Sequence, residues 1–325
     1  MRTTSTGAIG RRAWLAGLGA AWLSASTRGD EPDPAVADAD ADADARAIRE
    51  RGRKAGLGPF RSAESRHYRV IGDAPDAYLK LTLDDCEAVA ADYLDFYRAR
   101  GFAVARPPGR LTAVAFADVR SYAAFLGGRP DDSDGGRFDR ASNRLYVHDY
   151  RPIGVNPGLR AGHVNLAFLA HEATHQLAFN TGLLDRAGDV PRAIGEGIAL
   201  FGEVRKPAVP SPPGLVNDMR LTDLARKQRA GVPWITLPRL LVEDALFDAP
   251  AGFDALILAY AQAWLLAYHL LKDPALLPRS RDYLAAIRPR RDPRSRLDDA
   301  RAHLGDLGRI DADLKRLSIR LLKAN

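Results

Sequence analysis

A pair of histidines in a long apolar segment most strongly constrains what this chain can fold into. The segment His171-Glu172-Ala173-Thr174-His175 has the pattern HExxH, and its flanks are rich in Leu and Ala. In an α-helix, residues four apart lie on one face, one turn apart, so both imidazoles can reach the same metal ion. Burying two imidazoles and a carboxylate in an apolar helix is costly unless a metal or polar partners satisfy them. The sequence therefore predicts a core helix that carries a metal site.

The carboxylates that follow suggest how such a site is completed. Glu172 is rotated by about 100° from His171 around the helix, which suits a base that holds a water rather than a metal ligand. A catalytic zinc site needs a third protein ligand and one open position. Glu196, 21 residues after His175, is the candidate, because Gly and Pro residues between them allow two helices to pack as an antiparallel pair. Glu203, two turns further on the same face, is either a hydrogen-bond partner of a ligating histidine or an exposed charge at the helix end.

Several motifs in this region resemble those of the gluzincin metallopeptidases, and in particular a largely uncharacterised bacterial family of the peptidase-MA type with a HEATHQ motif. In chain order, the segments that carry the resemblance are 171–176, 180–182, Pro191, 196–203, 214–217, 220–224 and 260–264. The resemblance covers roughly residues 67–271. It implies one zinc ion held by His171, His175 and Glu196, with Glu172 as the general base in peptide-bond hydrolysis.

The same resemblance implies two further features of the site. One is a mixed sheet whose edge strand lies beside the active-site helix, and here that strand corresponds to 145–148. The other is a tyrosine that follows the glutamate ligand and donates a hydrogen bond to the oxyanion formed during hydrolysis. Tyr260 stands at a similar distance after the ligand, and Tyr268 and His269 are reserve candidates. Apolar neighbours surround Tyr260 on its predicted helix, so core packing is an equally good interpretation.

Composition restricts the remaining possibilities. The chain of 325 residues is 46% hydrophobic and 27% charged, which is typical of a soluble globular protein with a substantial core. Its single cysteine, Cys86, excludes a disulfide scaffold and any zinc or iron–sulfur site built on cysteines. The net charge of +6 is spread along the chain, because Arg and Asp are mixed nearly everywhere. We therefore expect no nucleic-acid partner.

The N-terminal segment is not expected to belong to the fold. Residues 1–29 resemble an export signal, in which Arg11 and Arg12 precede an apolar run shorter than the roughly 20 residues of a membrane-spanning helix. Small residues around Ser26 follow, as a signal peptidase requires. The arginines fit a twin-arginine signal as well as an ordinary secretory one. Residues 30–60, rich in Asp, Ala and Pro, are predicted to be a disordered acidic linker, and the exported protein is expected to keep no stable membrane span.

Hydrophobic periodicity divides the rest of the chain into two parts. Residues 61–157 are predicted to form a mixed α/β subdomain, with strands at 67–71 and 111–116, helices at 83–102 and 118–126, and a hairpin at 138–150. Residues 158–325 are predicted to form a helical subdomain, with helices at 162–179, 192–204, 218–229, 253–271, 281–288 and 310–322. The predicted class is therefore α+β: an N-terminal mixed sheet with helices, then a mostly helical half, with a zincin-like pair of helices that carries HExxH and Glu196.

Three alternatives to an exported zinc peptidase stay open at this point. A non-catalytic zinc-binding scaffold of the cell envelope would keep the same fold, but the presence of Glu172 argues against it. A non-haem iron oxygenase also uses two histidines and one carboxylate, although HExxH followed by a Glu on a second helix disfavours it. Nucleic-acid binding rests only on the Arg-rich C-terminal part and predicts salt-sensitive association. The expected partner is a peptide or protein substrate, and the sequence indicates no oligomeric state.

Overall fold

The computed structural model describes residues 34–129, 135–150, 161–206 and 209–324. The predicted export signal at 1–29 and the predicted subdomain boundary at 157/158 lie outside these residues. Among the described residues, the N-terminal half of the chain contains the five strands, and the C-terminal half is mostly helical. The predicted α+β class is confirmed.

Five short strands form one mixed sheet. They are β1 (Arg61–Glu64), β2 (Tyr68–Gly72), β3 (Leu111–Phe116), β4 (Gly136–Asp139) and β5 (Arg144–His148), and their order across the sheet is β1-β2-β3-β5-β4. The three inner strands run parallel, whereas β1 and β4 pair antiparallel with their neighbours. The predicted edge strand at 145–148 is therefore wrong, because the hairpin folds β4 back along the outer side of β5. The edge that lies next to the HExxH helix is β4.

The helices surround this sheet and extend beyond it. In chain order they are α1 (Pro34–Lys54), α2 (Asp76–Ala99), α3 (Val119–Leu126), α4 (Ala161–Asn180), α5 (Arg192–Gly202), α6 (Asp218–Arg229), α7 (Leu237–Val242), α8 (Phe253–Lys272), α9 (Leu277–Ile287), α10 (Arg296–Leu304) and α11 (Leu307–Ala324). Short 3₁₀ turns occur at Asp244–Phe247, Ala249–Ala251 and Pro293–Ser295. The sequence analysis predicts eight of the described helices and misses α1, α7 and α10.

Helix α1 corrects the predicted disordered linker at 30–60. Its Ile48 is completely buried against the sheet. Asp44 forms an ion pair with Arg144 of β5, and a second ion pair joins α1 to β2. Two acidic residues of the predicted linker, Asp42 and Asp44, are thus paired with arginines that lie far away in the sequence. The first described helix, Pro34–Lys54, therefore lies within the segment predicted to be a linker.

The sheet has helices on both faces because its strands alternate between two buried clusters. Val114 and Phe116 of β3 pack into a smaller cluster with α1 and α3. Ala113 and Ala115, which point the other way, pack into a larger cluster with α2 and α4 that continues into α5 and α8. Helix α4, which contributes to the larger cluster, therefore lies between the sheet and the helical half.

Helix α8 is long and apolar enough to cross a membrane, but 67% of its most apolar window is buried inside the protein.

Two glycines allow α5 to approach both of its helical neighbours closely. A Cβ added at Gly197 would lie 2.5 Å from the backbone oxygen of Ala263 in α8. A Cβ added at Gly202 would lie 2.5 Å from the hydroxyl oxygen of Thr174 in α4. Contacts this short leave no room for a side chain at either position. The glycines thus fix α5 between α4 and α8, and with it the position of Glu196.

Candidate metal centre

Two polar side chains that follow the HExxH motif fix α4 against the sheet. Gln176 is completely buried, and its amide donates to the backbone oxygens of Thr112 (3.1 Å) and Asn143 (3.0 Å). Asn180, at the end of α4, exchanges side-chain hydrogen bonds with Asn143. Asn143 has a φ of 58°, a conformation that Asn tolerates in turns. These contacts fix the orientation of α4 and of the histidines on it.

Helices α4 and α5 bring the three predicted metal ligands together. The Nε2 atoms of His171 and His175 lie 3.4 and 3.5 Å from the same oxygen, Oε2, of Glu196. One donor atom from each residue lies within 4.8 Å of the other two. All three side chains are mostly buried. The described residues therefore contain a possible metal-binding triad at the predicted positions.

The spacing of the triad fits a divalent ion better than a set of direct hydrogen bonds. Ligand atoms about 2.0–2.1 Å from a tetrahedral ion lie about 3.4 Å apart, close to the observed His–Glu distances of 3.4 and 3.5 Å. A charge-assisted hydrogen bond between nitrogen and a carboxylate is shorter, at about 2.7–2.9 Å. Two imidazoles and one carboxylate form a donor set that suits zinc and other first-row divalent ions.

Glu203 lies directly behind His171. Its Oε2 accepts a hydrogen bond from Nδ1 of His171 at 3.0 Å, and its side chain is only 9% exposed. Because a carboxylate accepts, the proton of this imidazole lies on Nδ1, which leaves Nε2 to face Glu196. Of the two interpretations left open for Glu203, the structure therefore contains the hydrogen-bond partner and not the exposed charge.

Asn217 is a further residue of this region, to which the sequence analysis assigns no role. Its Nδ2 donates to Oε1 of Glu203 at 2.6 Å, and its Oδ1 accepts from the backbone N–H of Arg220 at 3.2 Å. An Asn directly before a predicted helix at 218–229 is a signal for a helix cap. The contact with Glu203 joins residues from separate elements, so no local pattern indicates it.

Glu172 lies in the same cleft but does not join the triad. Its Oε2 accepts a hydrogen bond from the backbone N–H of Phe138 in β4 at 2.6 Å. Burial raises the pKa of Glu172 above its usual range, although the nearby charges of His171 and His175 oppose this. The carboxylate of Glu172 therefore accepts a proton more readily than an exposed glutamate would.

The ionisable groups of the triad affect one another strongly. Burial lowers the pKa of His171, but its interactions with the carboxylates of Glu196 and Glu203 outweigh this effect and raise the pKa to about 10. Burial raises the pKa of Glu196, but the charge of His175 and the close contacts with both imidazoles hold it well below its usual range. The centre therefore attracts positive charge, either a proton on His171 or a cation that replaces it.

The triad opens into a cleft of about 550 Å³. One wall comes from β4 and α4 and includes Phe138 and Phe179, whose rings stack at 6.0 Å. The facing wall comes from the start of α5 and from α8, and it includes Arg192 and Tyr260. The cleft thus lies between the edge strand of the sheet and the helical half.

Tyr260 lines this cleft as predicted, whereas the reserve candidates do not. Its ring packs against Phe247 at 5.3 Å between ring centroids. Burial and the charge of Glu196 raise the pKa of its hydroxyl to about 12, so the hydroxyl stays protonated at neutral pH. Tyr268 packs against Trp264 and Phe201, and the buried His269 lies outside the cleft lining.

Comparison with known proteins finds a similarity over part of the chain. Residues 165–282 match a family described as "Protein of unknown function (DUF1570)". The matched stretch runs from α4 into α9 and includes the metal-binding triad, Glu203 and Tyr260. No curated protein matches the chain. Neither result names an activity, so the assignment of a function depends on the geometry of the centre.

Proposed function

We propose that the protein is an exported zinc-dependent metallopeptidase of the gluzincin type, which hydrolyses peptide bonds in a peptide or protein substrate. The observation that carries the proposal is the convergence of His171, His175 and Glu196 in one cleft with Glu172. Three protein ligands and an open position are typical of catalytic zinc, whereas structural zinc has four protein ligands. Among the described residues, no fourth His, Cys, Asp or Glu joins the group. This donor set therefore favours a catalytic site over a structural one.

Glu172 provides the proton transfer that hydrolysis needs. A zinc ion held by the triad would polarise the scissile carbonyl and make a water more acidic. Glu172 takes a proton from the attacking water as the water oxygen bonds to the carbonyl carbon. Glu172 then gives this proton to the leaving nitrogen as the C–N bond breaks, which yields a carboxylate and an amine. The N–H of Phe138 holds Oε2 of Glu172, so Oε1 is the atom that accepts the proton.

Tyr260 completes the proposed site as a hydrogen-bond donor. Negative charge develops on the carbonyl oxygen during the attack, and donors aimed at that oxygen lower the barrier. Tyr260 lines the cleft, and its hydroxyl, with a pKa of about 12, keeps its proton at neutral pH. Tyr260 therefore suits this role better than Tyr268 or His269, which lie outside the cleft lining.

The proposed export rests on the sequence of residues 1–29. Cleavage near Ser26 falls ahead of α1, the first described helix, and would leave every described element in place. N-terminal sequencing of the protein from its native host tests this part of the proposal. We expect an N-terminus close to residue 27, and full-length protein that keeps Met1 in the cytoplasm would contradict export.

The experiment that tests the activity combines metal analysis with peptide cleavage. The purified full chain should bind one zinc per chain and cleave members of a peptide library. Glu172→Gln should keep the zinc, because Glu172 is not a ligand, and should lower the rate by about 10²–10⁴-fold. Glutamine still accepts the hydrogen bond of Phe138 and has a similar helix propensity, so the fold should persist.

Each outcome of this experiment has a distinct meaning. A protein that takes up no zinc overturns the whole proposal. Cleavage that Glu172→Gln leaves undiminished refutes the role of Glu172 even where the zinc ligands are correct. Zinc binding by a wild-type protein that cleaves nothing in a broad peptide panel favours the alternative, a non-catalytic zinc-binding scaffold of the cell envelope.

A further inference from the structure

A chain of buried polar side chains extends from His171 to the first turn of α6. Glu203 uses one carboxylate oxygen for Nδ1 of His171 (3.0 Å) and the other for Nδ2 of Asn217 (2.6 Å). Both residues are buried, with 7% of the whole Glu203 residue and 2% of the whole Asn217 residue exposed, and neither lines the cleft. These two residues therefore act on the centre from behind and do not contact a substrate in the cleft.

Asn217 makes two contacts that use opposite ends of its amide. Its oxygen caps α6 by accepting from the N–H of Arg220, and its nitrogen donates to Glu203. A side-chain amide has both an acceptor and a donor, whereas a carboxylate has acceptors only. The capping contact explains an Asn, Asp or Ser at this position, but the contact with Glu203 requires a donor. The second contact thus indicates a role beyond helix capping.

The hydrogen bond from Asn217 keeps the carboxylate of Glu203 from moving toward Arg220. The Nε atom of Arg220 lies 3.9 Å from Oε1 of Glu203, and it is buried without a hydrogen-bond partner. Without the amide of Asn217, Oε1 of Glu203 would lack a hydrogen bond in a buried position, which is costly. The carboxylate could regain one only by moving toward Arg220. That movement would weaken its hydrogen bond to His171.

We propose that Asn217 is a positioning residue of the metal centre, whose amide holds Glu203 against His171 and thereby strengthens the binding of a divalent ion. A carboxylate behind a ligating histidine fixes the ring and makes the imidazole a stronger ligand. Asn217 extends this support by one more layer, from the metal ligand to the start of α6. This inference rests on the metal site of the proposed function, but not on the reaction.

The substitution Asn217→Asp separates the two contacts of Asn217. Asp and Asn cap helices about equally well, so the cap of α6 should persist. The donor is lost, and a second carboxylate faces Glu203 at hydrogen-bond distance. Titration of the full chain with zinc against a chelating dye should give an affinity about 10–100-fold weaker than that of the wild type. Asn217→Ser, which also keeps a capping oxygen, is a milder second variant and should shift the affinity in the same direction.

The matched control is Asp118→Asn, the same exchange in reverse at the N-cap of α3. Asp118 accepts from the N–H groups of Arg120 and Ser121, on the face of the sheet opposite α4. The zinc affinity of the Asp118→Asn variant should equal that of the wild type. Far-UV circular dichroism and thermal unfolding of each variant establish that the fold is kept.

A double-mutant cycle with Glu203→Gln tests whether Asn217 acts through Glu203. If Asn217 acts through Glu203, the losses of zinc affinity in the two single variants are not additive in the double variant. The neutral glutamine at position 203 does not repel the carboxylate introduced at position 217 and can donate a hydrogen bond to it. The double variant should then bind zinc no more weakly than Glu203→Gln alone. Additive losses, or wild-type affinity of Asn217→Asp, would overturn the inference and leave the proposed function intact. A wild type without zinc overturns both, whereas zinc binding without cleavage overturns only the peptidase.

Discussion

Gly195 and Gly197 flank the proposed ligand Glu196 in α5 and provide a matched pair of substitutions. A Cβ added at Gly195 meets nothing within 4 Å. A Cβ added at Gly197 lies 2.5 Å from the backbone oxygen of Ala263 and 3.2 Å from the Cβ of Ala267. The same change, glycine to alanine, therefore meets open space at one position and the backbone of α8 at the other.

The expected difference follows from two opposing contributions. Both substitutions remove a glycine from a helix, which stabilises the helix by about 1 kcal/mol in each case. At Gly197 the new methyl group must displace backbone, and forcing a methyl group into a packed core costs about 1–3 kcal/mol. Because the helix propensity is common to both variants, it cancels. The free energy of unfolding of Gly195→Ala should exceed that of Gly197→Ala by about 1–3 kcal/mol.

Denaturant unfolding of both variants in the presence of a chelator measures this difference without any contribution from metal. Zinc titration of the same samples adds a second readout. Glu196 moves with α5, so Gly197→Ala should bind zinc more weakly than the wild type, while Gly195→Ala should bind it equally well. Equal stability of the two variants would refute the close approach of α5 and α8, and with it the argument that glycine fixes the position of Glu196.

Two further predictions concern the centre, and a third concerns Asp85 of α2, which lies outside the lining of the cleft. His175→Ala should abolish stoichiometric zinc binding, which metal analysis checks; a chelator should lower the melting temperature of the wild type but not of this variant, because an ion that binds the folded state stabilises it. Tyr260→Phe should keep the zinc and lower kcat by up to about 10²–10³-fold, as steady-state kinetics would measure, because it removes one donor to the oxyanion. Burial raises the pKa of Asp85 to about 6 against an ordinary value of 3.8, so its ionised form destabilises the fold as pH rises through that interval. Asp85→Asn should therefore raise the free energy of unfolding by about 1–3 kcal/mol at pH 8 and leave it nearly unchanged near pH 3.5, as denaturant titrations of chelated protein at both pH values would measure.

The metal-binding triad could be predicted from the sequence because helix geometry is local. The spacing of His171 and His175 defines one face of α4 whatever the rest of the chain does. Glu196 lies on the next helix, close to its start at Arg192, and the short connection to α4 limits how far that helix can lie. Both constraints act between residues that are close in sequence. The positions of the three ligands can therefore be predicted without knowledge of the tertiary structure.

Features that depend on distant partners could not be predicted in this way. Helix α1 is rich in Asp and has little apolar surface, and it is held by contacts such as the ion pair of Asp44 with Arg144, which is 100 residues away. The prediction that 145–148 is the edge strand is wrong for a similar reason. The hairpin at 138–150 is visible in the sequence, but which of its strands faces outward depends on the pairing of β5 with β3. Asn217 belongs to the same class, because its partner lies on another helix.

Three glutamates in the centre have different surroundings, and these differences assign their roles more sharply than residue type does. Glu196 lies close to both imidazoles, and although burial raises its pKa, the charges of the imidazoles hold this pKa low, which suits a ligand that stays ionised. Glu172 contacts a backbone N–H and has a pKa raised by burial, which suits a group that takes up and releases a proton. Glu203 accepts hydrogen bonds from the far side of one imidazole and from the amide of Asn217. Opposite shifts in neighbouring carboxylates are typical of sites that separate ligation from acid–base chemistry. Metal binding alone does not require a carboxylate such as Glu172, so its position beside the triad supports the proposed hydrolysis over a scaffold that only binds metal.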